Sequence, residues 1–283
     1  MKSVLALAKR NCLCFFRDRQ SVFFSMMAAL IVLLLYLLFL RDNLISSYPG
    51  IPGMDNFVDV WVMSGLVSVV SVTSCAGALQ TMVEDRIEGR DMDVLVTPMN
   101  PYKVAFGHII STFVCGFMMS IIVLAVGLVY LFATGCPLTA QGILLTILLT
   151  VPAALSGCTI MYAITSLIKS VGAFSGMFTT VSVLIGFVTG IYMPLSVMPG
   201  PIQTVSVFVP ATQMASVLRE VLAGEALGGL GMTGPELAEF RSDLGFDLGI
   251  GGFQFTPAIS ILYTMAVALV FFLISVMLVK RRQ

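Results

Sequence analysis

Six apolar stretches, none holding an Asp, Glu, Lys or Arg, decide what this chain can become: Ser21–Leu40, Trp61–Gln80, Val104–Phe132, Gln141–Ser166, Val171–Met193 and Ala258–Val279. Each reaches the roughly 20 residues that a helix needs to cross ~30 Å of hydrocarbon. In lipid only a helix or a closed barrel satisfies its own backbone polar groups, and these runs lack the alternation of a barrel strand. The predicted fold class is an all-α membrane protein with six transmembrane helices. A charged fraction of 11% agrees, since soluble domains carry about 25%.

The spans consume nearly half of the 283 residues, so residues 1–283 read as a single transmembrane domain with no soluble domain of ordinary size beside it. Zero net charge removes any broad electrostatic case for nucleic acid. All of the basic residues except Arg41, Arg219 and Arg241 fall on the side that holds both termini if the spans number six. Positive residues stay cytoplasmic, which predicts a plasma-membrane protein with both ends inside. The six cysteines suggest no disulfide framework, because Cys75, Cys115 and Cys158 lie within spans and Cys12 and Cys14 lie on the inner side.

Between the spans the composition changes. Residues 3–19 carry Val4, Ala8, Cys12 and Phe15 on one face and Arg10 and Arg17 opposite, the pattern of an interfacial helix, although a plain basic flank would also fix topology. The loop Arg41–Val60 is rich in turn signals. The largest inner loop, Glu84–Lys103, opens with Glu84-Asp85-Arg86-Ile87-Glu88, which suits the start of a short helix that Thr97-Pro98 and Pro101 would end. Residues 194–257 form a long external segment. Its apolar part, Pro199–Leu222, is broken by Pro210 and too short on each side to cross, so it reads as two half-helices dipping into the outer leaflet or a cap lying on it. Nine glycines between Gly224 and Gly252 predict a solvated loop, with one short helix near Pro235–Leu244.

Several chemistries are missing. Without a Gly-Lys dipeptide there is no Walker A phosphate loop, and a single histidine, His108, rules out a His-rich metal site. No nucleophile–base constellation marks a membrane-embedded enzyme. The spans hold no Asp, Glu, Lys or Arg, which disfavours the runner-up, a self-contained channel or secondary carrier. Small and hydroxylated side chains recur instead. Ser64, Ser68, Ser71 and Cys75 share a face of the second span, and Thr179, Ser182, Gly186 and Thr189 a face of the fifth. Close helix packing explains such stripes, and so does a weakly polar wall for an amphipathic substrate.

The inner loop carries a further pattern: Asp85-Arg86, Gly89, Leu95-Val96-Thr97-Pro98, then Gly107. It resembles the signature of the membrane subunit of type-two ATP-binding-cassette (ABC) exporters, the permeases of drug-resistance, polysaccharide and lipid export. The order of interfacial helix, six spans, charged inner loop and broken apolar segment is similar across nearly the whole chain. Arg90, Met92 and His108 stand where the family usually has Thr, Glu and Lys. The resemblance implies a coupling helix within 84–96, with Glu84, Asp85, Arg86, Gly89, Thr97 and Pro98 contacting an ABC ATPase subunit on the cytoplasmic side. It further implies a second permease copy or sister chain, with Ser68, Ser71, Thr179, Ser182 and Gly186 at a substrate pathway or dimer seam. Residues Pro199–Leu222 would be a re-entrant helical pair before the last span. The chain would hold no cofactor of its own, ATP and Mg being bound by the partner. The absence of an Asn-x-Ser/Thr sequon is compatible with a bacterial source.

Overall fold

The computed structural model describes residues 2–90 and 100–280. Among them, six helices are long and apolar enough to cross a membrane. Helix α1 (Lys2–Arg17) buries Val4, Leu7, Ala8, Asn11 and Phe15 along one stripe. Asp18 then separates it from α2 (Arg19–Leu35), capping the new helix by accepting from the Gln20 amide at 3.0 Å and the Ser21 hydroxyl at 2.6 Å.

The first span does not end at Leu40. A π-helical turn, Tyr36–Leu40, carries the helix into α3 (Arg41–Ser47), so the expected loop shrinks to the residues between Ser47 and Met54. The cause is a carboxylate on the neighbouring helix. Residues five apart on an α-helix point about 140° away from each other. In the wider turn the Arg41 amide reaches back to the Tyr36 carbonyl, which brings both side chains to one face. There the Tyr36 hydroxyl and the Arg41 Nε, at 3.0 Å, both donate to Asp59.

Helix α4 (Met54–Ala78) is the axis of the bundle. It begins seven residues before the expected start of the second span and takes Asp59, which falls within the expected loop Arg41–Val60, into the interior, 1% exposed. Helices α2, α6 (Pro101–Ala133), α7 (Ala140–Leu167) and α10 (Pro210–Gly228) pack round it. The last helix, α12 (Pro257–Lys280), forms an outer layer against α7 and α10.

Small residues set how close these helices come. A Cβ on Gly157 would meet the Ser71 carbonyl at 3.0 Å and the Val72 Cα at 3.2 Å, so α7 rests on the backbone of α4. On α6, Gly116 receives the Cys75 thiol in the same way. Serines of α4 bond inside the bundle: Ser64 donates to the Trp61 carbonyl and Ser71 to that of Ser68, each at 2.7 Å, whereas the buried Ser74 hydroxyl is left without a partner. Ser68 reaches across to the Ala211 carbonyl of α10 at 2.7 Å.

A short α5 (Gln80–Ile87) continues α4 past Leu79. The charged run expected to open a helix therefore closes one: Gly89 takes φ +74°, the left-handed geometry that stops a helix, and the Glu88 amide bonds back to Glu84. Helix α8 (Val171–Val188) ends before the expected Met193 because Gly190, at φ +71°, turns the chain and lays the Tyr192 ring over Gly186. A 3-10 turn, Leu195–Val197, and α9 (Gly200–Val207) follow, and Pro210 opens α10. Helix α11 (Gly234–Asp243) falls where a short helix was expected. The antiparallel hairpin of β1 (Leu248–Ile250) and β2 (Phe253–Phe255), pairing Gly249 with Gln254, was not foreseen in the glycine-rich stretch.

Candidate coupling site

Two ends of the bundle carry its charged groups. At the end holding the amino terminus, Met82 and Val83 are buried and hold α5 in place, which directs the next residues to three neighbours. Asp85, 8% exposed at its side chain, faces α1: Arg10 Nη1 donates to its Oδ2 at 2.5 Å. Arg90 Nε lies 3.1 Å from Oδ1, and Arg90 Nη2 lies 2.6 Å from Glu88 Oε2. The bond to Asp85 raises the pKa of Arg10. Both arginines are about half exposed, at 42% and 51%, so solvent screens these pairs and they fix register more than they add stability.

Arg86 points the other way. Its Nη1 donates to the Ile168 carbonyl at 2.9 Å and lies 3.5 Å from that of Ser166, at the carboxyl end of α7. A cation there meets the negative pole of the helix as well as its unpaired carbonyls. Glu84 accepts from Gln80 Nε2 at 2.8 Å along α5. The element thus joins α1 through Asp85 and the α7–α8 turn through Arg86, while continuing the axial helix. Its tip, Ile87 to Arg90, is exposed, with Ile87 47% accessible beside Glu88.

Glu84, Asp85 and Arg86 are therefore gathered on α5, and Gly89 lies just past its end. Thr97 and Pro98 lie outside the described residues. The proposed pathway residues do not share one surface: Ser68 and Ser71 are enclosed within the bundle, Thr179 is exposed on α8, Ser182 is half-buried with an unpaired hydroxyl oxygen, and Gly186 lies under Tyr192.

Sequence reasoning missed Arg10 as the partner of Asp85, although its place on the polar face of a surface helix was the available signal. Next to it, Asn11 Nδ2 lies 3.0 Å from His108 Nδ1, tying α1 to the start of α6. At the opposite end it missed Arg219, a lone cation in an otherwise apolar stretch. Fully buried on α10, Arg219 donates from Nη2 to the Thr189 carbonyl at 2.9 Å, with Gly190 and Gly245 carbonyls at 3.4 Å. Its guanidinium carbon stands 4.7 Å over the Trp61 ring. Thr189 and Gly245 follow the ends of α8 and α11, so two helix termini receive the charge in place of a carboxylate.

Comparison with known sequences adds one assignment. The family described as ABC-2 family transporter protein matches residues 47–277. No curated protein matches the chain.

Proposed function

The chain belongs to the ABC-2 transporter family, a family of integral membrane permease components that implies association with an ABC ATPase, and from that premise we propose that it is the permease subunit of an ATP-driven exporter. A separate ATPase subunit binds and hydrolyses ATP with Mg on the cytoplasmic side, against the tip of α5, and the chain itself performs no hydrolysis. Both termini are cytoplasmic, and the protein sits in a bacterial plasma membrane. The single observation behind this reading is the double attachment of α5. Asp85 grips α1 at 2.5 Å and Arg86 the end of α7 at 2.9 Å, so a push on Ile87 and Glu88 moves three elements together.

The open face of α8, with Thr179 and Ser182, meets a second permease copy or a sister chain, and an amphipathic or lipid-like substrate passes at that seam. Ser68 and Ser71 join the path when α10 withdraws from α4 and Ser68 loses its bond to Ala211. Helices α9 and α10 form the re-entrant pair at the outer end, and α1 lies on the inner surface among lipid headgroups. A self-contained carrier would need a carboxylate free to change partners, and Asp59 is engaged by Tyr36 and Arg41.

The test is Arg86→Glu, which sets a carboxylate against the Ser166 and Ile168 carbonyls. With membrane expression unchanged, the variant should still co-purify with its ATPase but stimulate hydrolysis at least tenfold less. Full stimulation would reject the lever.

A further inference from the structure

A cavity of about 520 Å³ opens near Arg219, between two strips of chain that the functional reading leaves aside. One wall runs from the 3-10 turn to the end of α9, residues 195–207, and the other from the end of α11 into β1, residues 242–251. Leu195, Val207 and Leu248 are buried together and give it an apolar side. The volume lies within the roughly 300–1,000 Å³ of small-molecule sites.

Both walls are fixed from behind. Leu244, Gly245 and Phe246 turn three consecutive carbonyls toward buried side chains. The first accepts from Trp61 Nε1 at 2.9 Å, the second from Arg219 Nη1 at 3.4 Å and the third from the Ser216 hydroxyl. On the other wall, Gln203 Nε2 donates to the Ser196 and Met198 carbonyls at 3.1 and 2.7 Å. A cavity held in this way costs little ordering when a ligand enters.

The same bonds decide its polarity. Gln203 spends its amide hydrogens on those carbonyls, and Thr204 spends its hydroxyl hydrogen on the Gly200 carbonyl at 3.0 Å. What each has left is an acceptor oxygen. Ser196 and Ser242 are exposed hydroxyls that turn to suit either partner. Asp243 adds a half-buried carboxylate with no ion pair among the described residues. The nearby cations are committed elsewhere: Arg241 is shared by Asp247 and Glu220 at 2.8 Å, and Arg219 gives its bonds to carbonyls. Asp243 is moreover the last residue of α11, where the helix dipole favours a cation and opposes a carboxylate. The wall therefore offers acceptors and an unanswered negative charge beside an apolar surface.

We propose that this cavity is a binding site for a primary amine with an apolar body. The ammonium supplies the hydrogens that Gln203, Thr204 and Asp243 lack, and its charge answers Asp243 at the end of α11. The body of the ligand covers Leu195, Val207 and Leu248.

The experiment titrates the full chain in lipid nanodiscs with 2-phenylethylamine, followed by calorimetry against empty nanodiscs. The amine should bind saturably, and 2-phenylethanol, a body of the same shape without charge, at least about tenfold more weakly. Asp243→Asn should weaken the amine by a similar factor. Asparagine relieves the clash with the helix dipole, so the variant should fold. Trp61, bonded to the Leu244 carbonyl, reports by its fluorescence whether the wall is intact. No saturation above empty nanodiscs at millimolar amine, equal affinity for amine and alcohol, or unaltered affinity in Asp243→Asn would each overturn the proposal. If Asp243→Asn loses the wall, Thr204→Trp takes its place at an exposed position on the other side. Bulk there should abolish amine binding, and undiminished binding would contradict the site. None of these readouts involves an ATPase, so they stand apart from the transport reading.

Discussion

Replacing Arg219 by methionine should leave stability almost unchanged, although the side chain is wholly buried and touches three elements. Burial pulls the guanidinium down to about 9 from the usual 12.5. At about 1.4 kcal/mol per pH unit, that opposes the charged form by roughly 5 kcal/mol. The Trp61 face returns about 2 kcal/mol when desolvated. The 2.9 Å bond to the Thr189 carbonyl returns about 1.5–3 kcal/mol, with less from the longer contacts. These contributions cancel to within about 1–2 kcal/mol. Methionine keeps the stem and discards both sides of the balance, so Arg219→Met should shift stability by less than ~1.5 kcal/mol. Arg219→Ala also opens a cavity and should cost about 2–5 kcal/mol. Trp61 is the only tryptophan, so its fluorescence during thermal unfolding in detergent reports this site directly. If methionine proves as damaging as alanine, the charge contacts outweigh the burial cost and the reasoning fails.

Two further perturbations follow. Gly157→Ala places a methyl 3.0 Å from the Ser71 carbonyl and should destabilise the bundle by about 1–3 kcal/mol, read from the unfolding midpoint; an unchanged midpoint would mean that α7 does not rest on α4. Asp18→Ala removes the cap of α2 and should cost about 1 kcal/mol at neutral pH. The carboxyl of Asp18 is held below its usual value by the Ser21 hydroxyl. Its contribution is therefore present above the ordinary carboxylate range and lost as pH falls through the folded value, so the difference between wild type and Asp18→Ala should vanish in acid. A difference that persists at pH 2 would contradict this.

The span count and the charged element after the second span were legible because hydrocarbon imposes one rule on every span, and departures from it stand out in composition. Helix ends were less legible. The π turn at Tyr36–Leu40 answers to Asp59, a residue some twenty positions away, and no local signal announces it. The run Glu84–Glu88 looked like a helix start because acidic residues favour amino termini, yet continuity with α4 set its direction and Gly89 stopped it. At the candidate site, Asp85 and Arg86 could be chosen from sequence, but their partners could not. Arg10 belongs to another element, and the Ile168 carbonyl has no side-chain signature at all. The hydroxyl stripe of α4 showed its spacing but not its neighbours, and Ser68 proved to face α10 within the same chain.

The central claim is that the tip of α5 takes its motion from a separate ATPase. It is tested most directly by placing a photo-cross-linking amino acid at Glu88, which is exposed, in membranes that contain the partner. Irradiation should yield an adduct whose second chain carries a Walker A motif, while the same group at exposed Phe253 on the opposite end yields none. An ATPase adduct from position 253 and not from position 88 would contradict the account.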